Sequence, residues 1–263
     1  LGIPPQPFVD QIAASFKLAW DELDISNDNF IRTTDFAHIK AVQNALQIIY
    51  DKGDIYKGKY RGLYCQGCEQ YKSEKDLIKG LCPDHKIAPQ ILEEECYMFK
   101  LYKYQKDILA KIKSDDLKIL PESRKKEVIN FYENFGLEDI SFSRKKVSWG
   151  IPLPWDETQT TYVWADAFLN YLTGLGWQGK SKAPDFWPPE IQLMSKDILR
   201  VHATIWPAML MSLGLALPKL LFVHGFFLID GQKMSKSLGN VITPAELVKK
   251  YGSDGAKYLL LSA

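Results

Sequence analysis

The second half of the sequence alternates short apolar segments of strand length with segments of helical pattern. TYVWADAFLNYL, IQLMS and KLLFVHGFFLI carry the apolar runs, and DILRVHATIWPAML separates the last two. Short strands that alternate with helices are typical of βαβ units, in which the strands lie parallel and the helices cover the sheet. This alternation therefore predicts an α/β domain with a parallel sheet.

The first half carries a different set of elements. Apolar spacing predicts helices over Pro7–Leu23, His38–Lys52, Leu101–Lys113 and Glu122–Glu133, and strands over Asn29–Thr33 and Ile55–Tyr64. All the cysteines lie between positions 65 and 96. We therefore expect a smaller module, at roughly residues 55–140, to interrupt the α/β domain.

The cysteine-rich segment has the spacing of a zinc site. Cys65 and Cys68 form one C-x₂-C pair, and Cys82 and His85 form a C-x₂-H pair after a gap of 13 residues. A tetrahedral Zn²⁺ takes nitrogen and sulfur ligands, and a closed site leaves no position for substrate, so this zinc would be structural. The alternative is a cluster of free thiols beside an incidental histidine. Cys96 falls outside the spacing, and we expect a buried free thiol there.

Overall charge and hydropathy exclude some classes of protein. The formal net charge is +1, so any contact with nucleic acid must come from a local basic patch. Hydrophobic residues make up 46% and charged residues 25%, which argues against extensive disorder. No apolar stretch approaches the ~18 residues of a membrane-spanning helix, and no secretory signal opens the chain. We therefore expect a cytoplasmic protein with no membrane partner.

Polar residues follow the apolar segment that ends at Met194. Ser195 and Asp197 would lie at the carboxyl edge of the sheet, where ligands of α/β folds collect. Asp197 could instead be a carboxylate favoured by the helix dipole. His202 and Trp206 lie four residues apart and share a helix face. A histidine satisfied within the core is the alternative reading of His202.

A stripe of large side chains precedes this segment. Trp164, Ala167, Phe168 and Tyr171 are spaced at i, i+3, i+4 and i+7, as on one face of a helix. Core packing is the ordinary explanation for such a stripe, and a pocket for a small apolar ligand is the alternative.

The loop QKMSKSLGN, at 232–240, is rich in lysine and serine. Lys233 and Lys236, with the hydroxyl groups of Ser235 and Ser237, could close on a polyphosphate and neutralise charge that develops during phosphoryl or nucleotidyl transfer. A solvated surface loop has the same composition.

Together these segments resemble the class I aminoacyl-tRNA synthetases, and within that class the methionyl-tRNA synthetase family. KMSKS at 233–237 is the signature of the class, and VHGFF precedes it here. The resemblance extends through NFIRTT, SRKKVSWGIPLP, YVWADAFLNY, SKDILRVHATIWPAML and the cysteine module, and so covers essentially the whole chain. It implies a Rossmann-like, nucleotide-binding catalytic domain with a parallel sheet, interrupted by a zinc-knuckle connective peptide.

The resemblance also implies a division of the chain and a reaction. Residues 1–54 and 141–224 would belong to the catalytic domain, 55–140 to the insertion, and 225–263 to the KMSKS loop and the start of a stem-contact region. The enzyme would join methionine to ATP, with Mg²⁺, to form methionyl-adenylate, and would then esterify tRNA(Met). In that reaction Lys236 would stabilise the transition state at the phosphates, and Lys233 would assist it.

The remaining roles follow by matching positions of the family's motifs. The implied ATP-binding residues are Lys236, Lys233, Ser235, His224, Gly225 and Asp197. The implied methionine pocket consists of Trp164, Ala167, Phe168, Tyr171, Ile198 and His202. The implied ligands of the structural zinc are Cys65, Cys68, Cys82 and His85. Lysines of the insertion could contact RNA or form a solvated face, and these are Lys103, Lys106, Lys125 and Lys126.

The sequence departs from the family pattern at several points. The HIGH motif and the helical anticodon-binding domain are absent, so we expect the chain to be part of a longer protein and inactive alone. His85 stands where many relatives have cysteine, and Ser195 and Phe168 stand where glycine and proline are frequent. The alternative function is a catalytically silent, zinc-knuckle RNA-binding fragment of a synthetase-like protein.

Overall fold

The computed structural model describes residues 2–65, 70–72, 77–82, 86–145, 147, 149–229, 231–234 and 241–262. The helices are α1 Pro5–Glu22, α2 Phe36–Asp51, α3 Gln105–Lys113, α4 Glu122–Asn134, α5 Val163–Ala167, α6 Asn170–Thr173, α7 Leu199–His202, α8 Ile205–Leu213 and α9 Pro244–Ser262. The strands are β1 Ile55–Cys65, β2 Gln70–Lys72, β3 Gln90–Phe99, β4 Lys118–Leu120, β5 Ile140–Ser141, β6 Ser143–Arg144, β7 Pro152–Leu153, β8 Asp156–Thr161, β9 Gln192–Ser195, β10 Leu220–His224, β11 Leu228–Ile229 and β12 Gln232–Lys233.

A parallel sheet of order β4-β10-β9 lies at the centre of the fold and confirms the predicted α/β class. Leu221 and Val223 of β10 are buried, and the covering helix α8 is apolar along nearly its whole length. The chain passes from β9 through α7 and α8 to the parallel strand β10. These four elements form the βαβ unit that the alternation predicted.

An antiparallel sheet of order β2-β1-β3-β5 carries the segment that was predicted as an insertion. Its long pair, β1 with β3, runs from Ile55 opposite Phe99 to Tyr64 opposite Gln90. A second antiparallel sheet, β6-β8-β7, leads into α5, and the hairpin β11-β12 follows β10.

Residues 101–140 are tied to the parallel sheet. β4 pairs with β10 in parallel register, with Ile119 opposite Leu221, and Ile108, Ile112 and Tyr132 belong to the main core. This part of the predicted 55–140 insertion therefore shares a sheet and a core with the α/β domain. The antiparallel hairpin before residue 100 is the part that projects from it as a separate sheet.

The helices at 5–22, 36–51, 105–113 and 122–134 confirm the predicted ones within a few residues, and Leu101–Tyr104 is a 3₁₀ turn ahead of α3. The strand predicted over Asn29–Thr33 is wrong. This segment has no ladder partner among the described residues, and its side chains hold it instead: Asn29 donates to the Gly174 carbonyl at 2.8 Å, and Arg32 pairs with Asp10 at 2.6 Å. No helix among the described residues is long and apolar enough to span a membrane.

A buried carboxylate joins segments that are distant in the sequence. Asp54, between α2 and β1, is 1% exposed and accepts hydrogen bonds from Lys103 Nζ at 2.6 Å, Tyr104 Oη at 2.5 Å and Ser212 Oγ at 2.8 Å. Lys52 Nζ also donates to the Ser212 carbonyl. Burial alone would raise the pKa of Asp54, but the three donated hydrogen bonds outweigh burial and lower the pKa below its usual value of 3.8.

We predict that Asp54→Asn lowers the free energy of unfolding by about 2 kcal/mol at pH 7, because a neutral amide accepts weaker hydrogen bonds and cannot pair with Lys103. Because the pKa is lower in the folded state, the carboxylate stabilises the fold fully at pH values above the unfolded-state pKa of 3.8. This contribution is lost as the pH falls through the folded-state pKa. The difference between the proteins should therefore shrink in acid.

Urea unfolding at several pH values measures both effects. Asp51→Asn is the matched control, because Asp51 is exposed and accepts one hydrogen bond from Gln47, at 2.8 Å; its effect should stay within about 0.5 kcal/mol. Equal stability of Asp54→Asn and the unsubstituted protein at pH 7 would contradict the role assigned to Asp54.

Candidate active site

The structure gathers the aromatic stripe around the histidine of α7. The Phe168 ring lies 5.2 Å from that of Trp164 and 5.5 Å from that of Trp206, both stacked, and 4.9 Å from the His202 ring in an edge contact. The Tyr171 and His202 rings are 5.9 Å apart. Phe168, His202 and Trp206 are buried, whereas Trp164 and Tyr171 keep part of their surface exposed. The cluster is thus closed at its base and open at its rim.

The helix predicted through this stripe is two short helices. α5 ends at Ala167, a turn covers Phe168 and Leu169, and α6 begins at Asn170. The side-chain amide of Asn170 donates to the Ala167 carbonyl across this turn. An asparagine that binds the backbone locally competes with helix continuation, which explains the break.

Hydrogen bonds determine the tautomer of His202. Nδ1 lies 2.9 Å from the carbonyl oxygen of Ile198, which can only accept, so Nδ1 carries the proton. Nε2, 2.9 Å from Tyr171 Oη, therefore accepts a hydrogen bond from the phenol. Burial lowers the pKa of His202, against the opposing effect of the Ile198 carbonyl, and burial raises the pKa of Tyr171. Both groups are neutral at pH 7.

A second buried histidine supports the cluster from α2. His38 Nε2 lies 2.8 Å from Asp166 Oδ1, and Nδ1 lies 2.7 Å from Thr173 Oγ1. Asp166 is in α5 and Thr173 in α6, so His38 fastens both short helices to α2. This group was not predicted from the sequence. Its signal was a pair of polar side chains, His38 and Asp166, each within an otherwise apolar segment.

The polar candidates lie at the carboxyl edge of the parallel sheet. Ser195 of β9 is opposite His224 of β10, and the Lys196 amide donates to the His224 carbonyl at 3.1 Å. Ser195 Oγ donates to Asp197, whose side chain is exposed. Ile198, in the next turn, contacts the core and supplies the carbonyl that holds His202. The residues predicted for ATP and for methionine thus adjoin along β9 and α7.

The strand end leads directly into the lysine loop. Gly225 follows β10, and the hairpin β11-β12 then pairs Leu228 with Lys233. The Met234 amide donates to the Phe227 carbonyl at 3.2 Å, which continues the pairing of this hairpin by one residue. Ser235, Lys236 and Ser237 lie outside the described residues.

The structure describes two of the four predicted zinc ligands. Cys65, at the end of β1, and Cys82 are buried and form no disulfide; Cys68 and His85 lie outside the described residues. Within the described part of the chain, no group of three or more His, Cys, Asp or Glu could hold a metal. Cys96 is a buried free thiol, as predicted, and burial raises its pKa.

Comparison with known proteins is consistent with this geometry. The family model for tRNA synthetases class I (M) matches residues 1–90 and 85–263. The chain therefore belongs to the class I tRNA synthetases. Methionine–tRNA ligases from Clostridium perfringens and Streptomyces coelicolor are 47% and 44% identical to it, over 99% and 100% of this chain. Within the class, the chain belongs to the methionyl-tRNA synthetase family.

Solved structures of the family share the fold. Mycobacterium tuberculosis methionyl-tRNA synthetase in complex with methionyl-adenylate matches with a TM-score of 0.85 and 37% identity, over 99% of this chain and 52% of that one. Its apo form matches with a TM-score of 0.78 and 34% identity. The chain covers 41% of the C. perfringens protein and 50% of the S. coelicolor protein, so it spans at most about half the length of these relatives.

We predict that Tyr171→Phe raises the pKa of His202. The Tyr171 hydroxyl donates to Nε2 of the neutral imidazole, and its loss removes an interaction that favours the neutral form. Titration of the ¹⁵N-labelled imidazole by NMR measures the pKa and reports the Nδ1–H tautomer directly. Tyr258→Phe, at an exposed position in α9, is the control. An Nε2–H tautomer at neutral pH would contradict the hydrogen-bond assignment.

Proposed function

We propose that the protein is a methionine–tRNA ligase, which activates methionine with ATP to methionyl-adenylate and transfers it to tRNA(Met). The observation that carries the proposal is a cluster of aromatic side chains around neutral His202, beside the carboxyl edge of a parallel sheet, in a chain of the methionyl-tRNA synthetase family. The relative in complex with methionyl-adenylate has the same fold at a TM-score of 0.85.

The aromatic pocket suits the methionine side chain. Trp164, Ala167, Phe168, Tyr171 and His202 would surround a thioether, which offers no strong hydrogen bond and is recognised by shape and by contact of sulfur with ring edges. Because His202 is neutral, it places no charge in the pocket. An apolar side chain can therefore bind without removing water from a cation. Ile198 would close the pocket from α7.

The sheet edge suits ATP. His224 and Gly225 would line the adenine, since Gly225 has no side chain and its Cβ position is open. The exposed carboxylate of Asp197 would hold the ribose hydroxyls or the ammonium group of methionine. The methionine carboxylate would then approach the α-phosphate of ATP from the pocket, as residues 195–198 connect the two regions.

The chemical step needs positive charge at the phosphates. The methionine carboxylate oxygen forms a bond to the α-phosphorus, and the bond from that phosphorus to the bridging oxygen breaks, releasing pyrophosphate. Lys236, with Lys233 and the hydroxyl of Ser235, would neutralise the charge that develops on the leaving pyrophosphate, and Mg²⁺ would accompany the ATP. Finally, a hydroxyl oxygen at the 3′ end of the tRNA would form an ester bond to the methionyl carbonyl carbon, the bond from that carbon to the phosphate oxygen would break, and AMP would leave with the hydroxyl proton passing to it or to water.

The antiparallel sheet before residue 100 would be the connective peptide, and Zn²⁺ would stabilise its tip. The donor set of Cys65, Cys68, Cys82 and His85 fits tetrahedral zinc. In support, the chain closes on itself at Cys82, whose carbonyl accepts from the Lys86 amide at 2.8 Å and whose amide donates to the Ile87 carbonyl at 2.9 Å. With the chain closed in this way, Cys82 and His85 would supply two ligands to one ion.

The four lysines named for RNA contact differ in their surroundings. Lys103 pairs with Asp54, and Lys125 is 8% exposed and pairs with Asp115 at 2.8 Å, so both have roles within the fold. Lys106 and Lys126 are exposed, and neither forms a salt bridge within the described residues. We therefore assign any tRNA contact from this set to Lys106 and Lys126.

Methionine-dependent exchange of pyrophosphate into ATP tests the proposal on the protein as its gene encodes it. We predict that Lys236→Ala lowers the exchange rate by about 10²–10³-fold, because one group that stabilises transition-state charge contributes several kcal/mol. Lys249→Ala, at an exposed position in α9, should leave the rate unchanged. An active enzyme whose rate is unaffected by Lys236→Ala would remove Lys236 from catalysis, and absence of exchange would overturn the ligase proposal.

Metal analysis of the purified protein tests the zinc site. We predict that bound zinc is lost on Cys65→Ser or Cys82→Ser, because a hydroxyl is a far weaker zinc ligand than a thiolate. Cys96→Ser is the matched control, since Cys96 is also a buried free thiol but lies outside the ligand spacing. Retention of zinc in both ligand variants, or its loss in the control, would contradict the assignment.

A further inference from the structure

The buried ring of His38 bridges the two short helices of the aromatic cluster. Nε2 lies 2.8 Å from Asp166 Oδ1 in α5, and Nδ1 lies 2.7 Å from Thr173 Oγ1 in α6. Because both nitrogens belong to one rigid ring, the two hydrogen bonds fix Asp166 and Thr173 relative to each other. His38 belongs to none of the residue sets proposed to bind methionine, ATP, zinc or tRNA, so its role needs a separate explanation.

Burial excludes a direct part in bond making. A hydroxyl, an imidazole and a carboxylate joined by hydrogen bonds are also the components of a nucleophilic triad. Here His38 is 0% exposed and Thr173 is 7% exposed. A nucleophile must reach its substrate, and a hydroxyl that is buried and already bonded to the ring does not. The group therefore acts on the packing of α5 and α6.

The two helices need such a contact because they are very short. α5 has five residues and α6 has four. Helices of this length are not stable without tertiary contacts, and the turn at Phe168 and Leu169 interrupts the helix between them. Their orientation relative to each other therefore depends on contacts from other elements, and His38 supplies one contact to each.

His38 makes these contacts from a firmly packed helix. α2 buries a face in the main core, formed by Val42, Ala45, Leu46 and Ile49. His38 lies one turn before Val42 on the same face. A side chain on a packed helix holds its partners more precisely than a side chain on a loop does. The position of α5 and α6 is thus referred to the core through this ring.

Both helices carry side chains of the proposed methionine pocket. Trp164 and Ala167 lie in α5, Tyr171 lies in α6, and Phe168 lies in the turn between them. The Phe168 ring is 5.2 Å from the Trp164 ring and 4.9 Å from the His202 ring. A change in the angle between α5 and α6 would therefore move the base of the pocket and shift Tyr171 relative to His202.

We propose that His38 is a positioning residue for the methionine pocket. Through Asp166 and Thr173 it sets the placement of α5 and α6, and this placement determines how tightly and how selectively the pocket holds the side chain of methionine. The inference rests on the proposed ligase function, because the pocket is assigned to methionine there.

Steady-state kinetics of pyrophosphate exchange, with the protein as its gene encodes it, test the inference. We expect His38→Ala to raise the KM for methionine about tenfold or more and to change kcat less than about threefold, because contacts to the side chain of methionine are the same before and during the reaction. The KM for ATP should stay unchanged, since the proposed ATP residues lie along the sheet edge and in the lysine loop. The preference for methionine over ethionine, whose side chain is one methylene longer, should fall.

Two conservative substitutions separate the two hydrogen bonds. The amide of His38→Asn can take the place of Nδ1 and keep the bond to Thr173, whereas the amide of His38→Gln can take the place of Nε2 and keep the bond to Asp166. Each variant should show a methionine KM between those of His38→Ala and the unsubstituted protein. Gln43→Ala is the matched control, because Gln43 is also in α2 but donates to the Pro152 carbonyl, at 3.1 Å; its methionine KM should not change.

The outcomes separate this inference from the ligase proposal. An active unsubstituted enzyme with an unchanged methionine KM in His38→Ala overturns the inference alone. Equal rises in the KM for methionine and for ATP also overturn it, because they indicate a general loosening of the fold. If His38→Ala does not fold, a methionine KM that is unchanged in both conservative variants has the same meaning.

Hydrogen–deuterium exchange provides a measurement that needs no activity. We expect amides of residues 163–174 to exchange faster in His38→Ala than in the unsubstituted protein, while those of α8 exchange at the same rate. If the unsubstituted protein shows no methionine-dependent pyrophosphate exchange, the ligase proposal fails. The deuterium measurement then decides alone whether His38 positions α5 and α6, and unchanged rates over residues 163–174 overturn that role.

Discussion

The buried carboxylate of Asp54 holds together the parts of the molecule on which the candidate site depends. It lies between α2 and β1. Its partners are Lys103 and Tyr104 in the 3₁₀ turn that begins at Leu101, and Ser212 at the end of α8. The antiparallel hairpin begins directly after Asp54 and ends shortly before Lys103. The buried carboxylate has its hydrogen-bond donors only when these three segments pack together. Any other packing would leave it buried without donors, so this interaction favours one arrangement of the segments.

From this junction the packing continues to the pocket. α8 carries Ser212 at one end and Trp206 near the other, and Trp206 donates from Nε1 to Gln192 of β9 at 3.1 Å while stacking on Phe168. The same tryptophan thus contacts the sheet and the base of the aromatic cluster. His38 performs a similar function on the opposite side, where it binds both α5 and α6.

The candidate site divides into a neutral part and a polar part, and one short segment separates them. On the α7 side, burial lowers the pKa of His202 and keeps its ring uncharged, while the hydrogen bond to the Ile198 carbonyl fixes its tautomer. At the strand ends, Asp197 is exposed and Lys196 lies over the Phe226 ring at 4.4 Å. An amino acid with an apolar side chain fits across such a boundary. Its side chain would lie in the apolar part, and its charged ammonium and carboxylate groups would lie in the polar part. α7 forms this boundary, and its Arg200 lines a separate cavity together with residues of α4.

Much of this arrangement was predictable from the sequence, because strand–helix alternation and a motif such as KMSKS are local patterns. The parallel sheet and the main helices follow from such patterns, whereas the meeting of Trp164, Phe168 and Tyr171 with His202 was implied by the family resemblance. What escaped the sequence depends on partners far away in the chain. Asn29–Thr33 has strand-forming residues but no neighbouring strand to pair with among the described residues, and β-structure exists only through pairing.

The lysines illustrate the same limit. Lys103 and Lys125 have the composition and spacing of a solvated helix face, yet each is the partner of an aspartate, and Lys125 is buried in its pair. Spacing along a helix predicts which side chains share a face, but it does not show what packs against that face. Arg200 is the converse case. It lies two residues from Ile198 and two from His202, yet it lines a separate cavity together with residues of α4. A one-turn helix has too few residues for periodicity to separate its two faces, so only the packing of α4 against it distinguishes the pocket side from the cavity side.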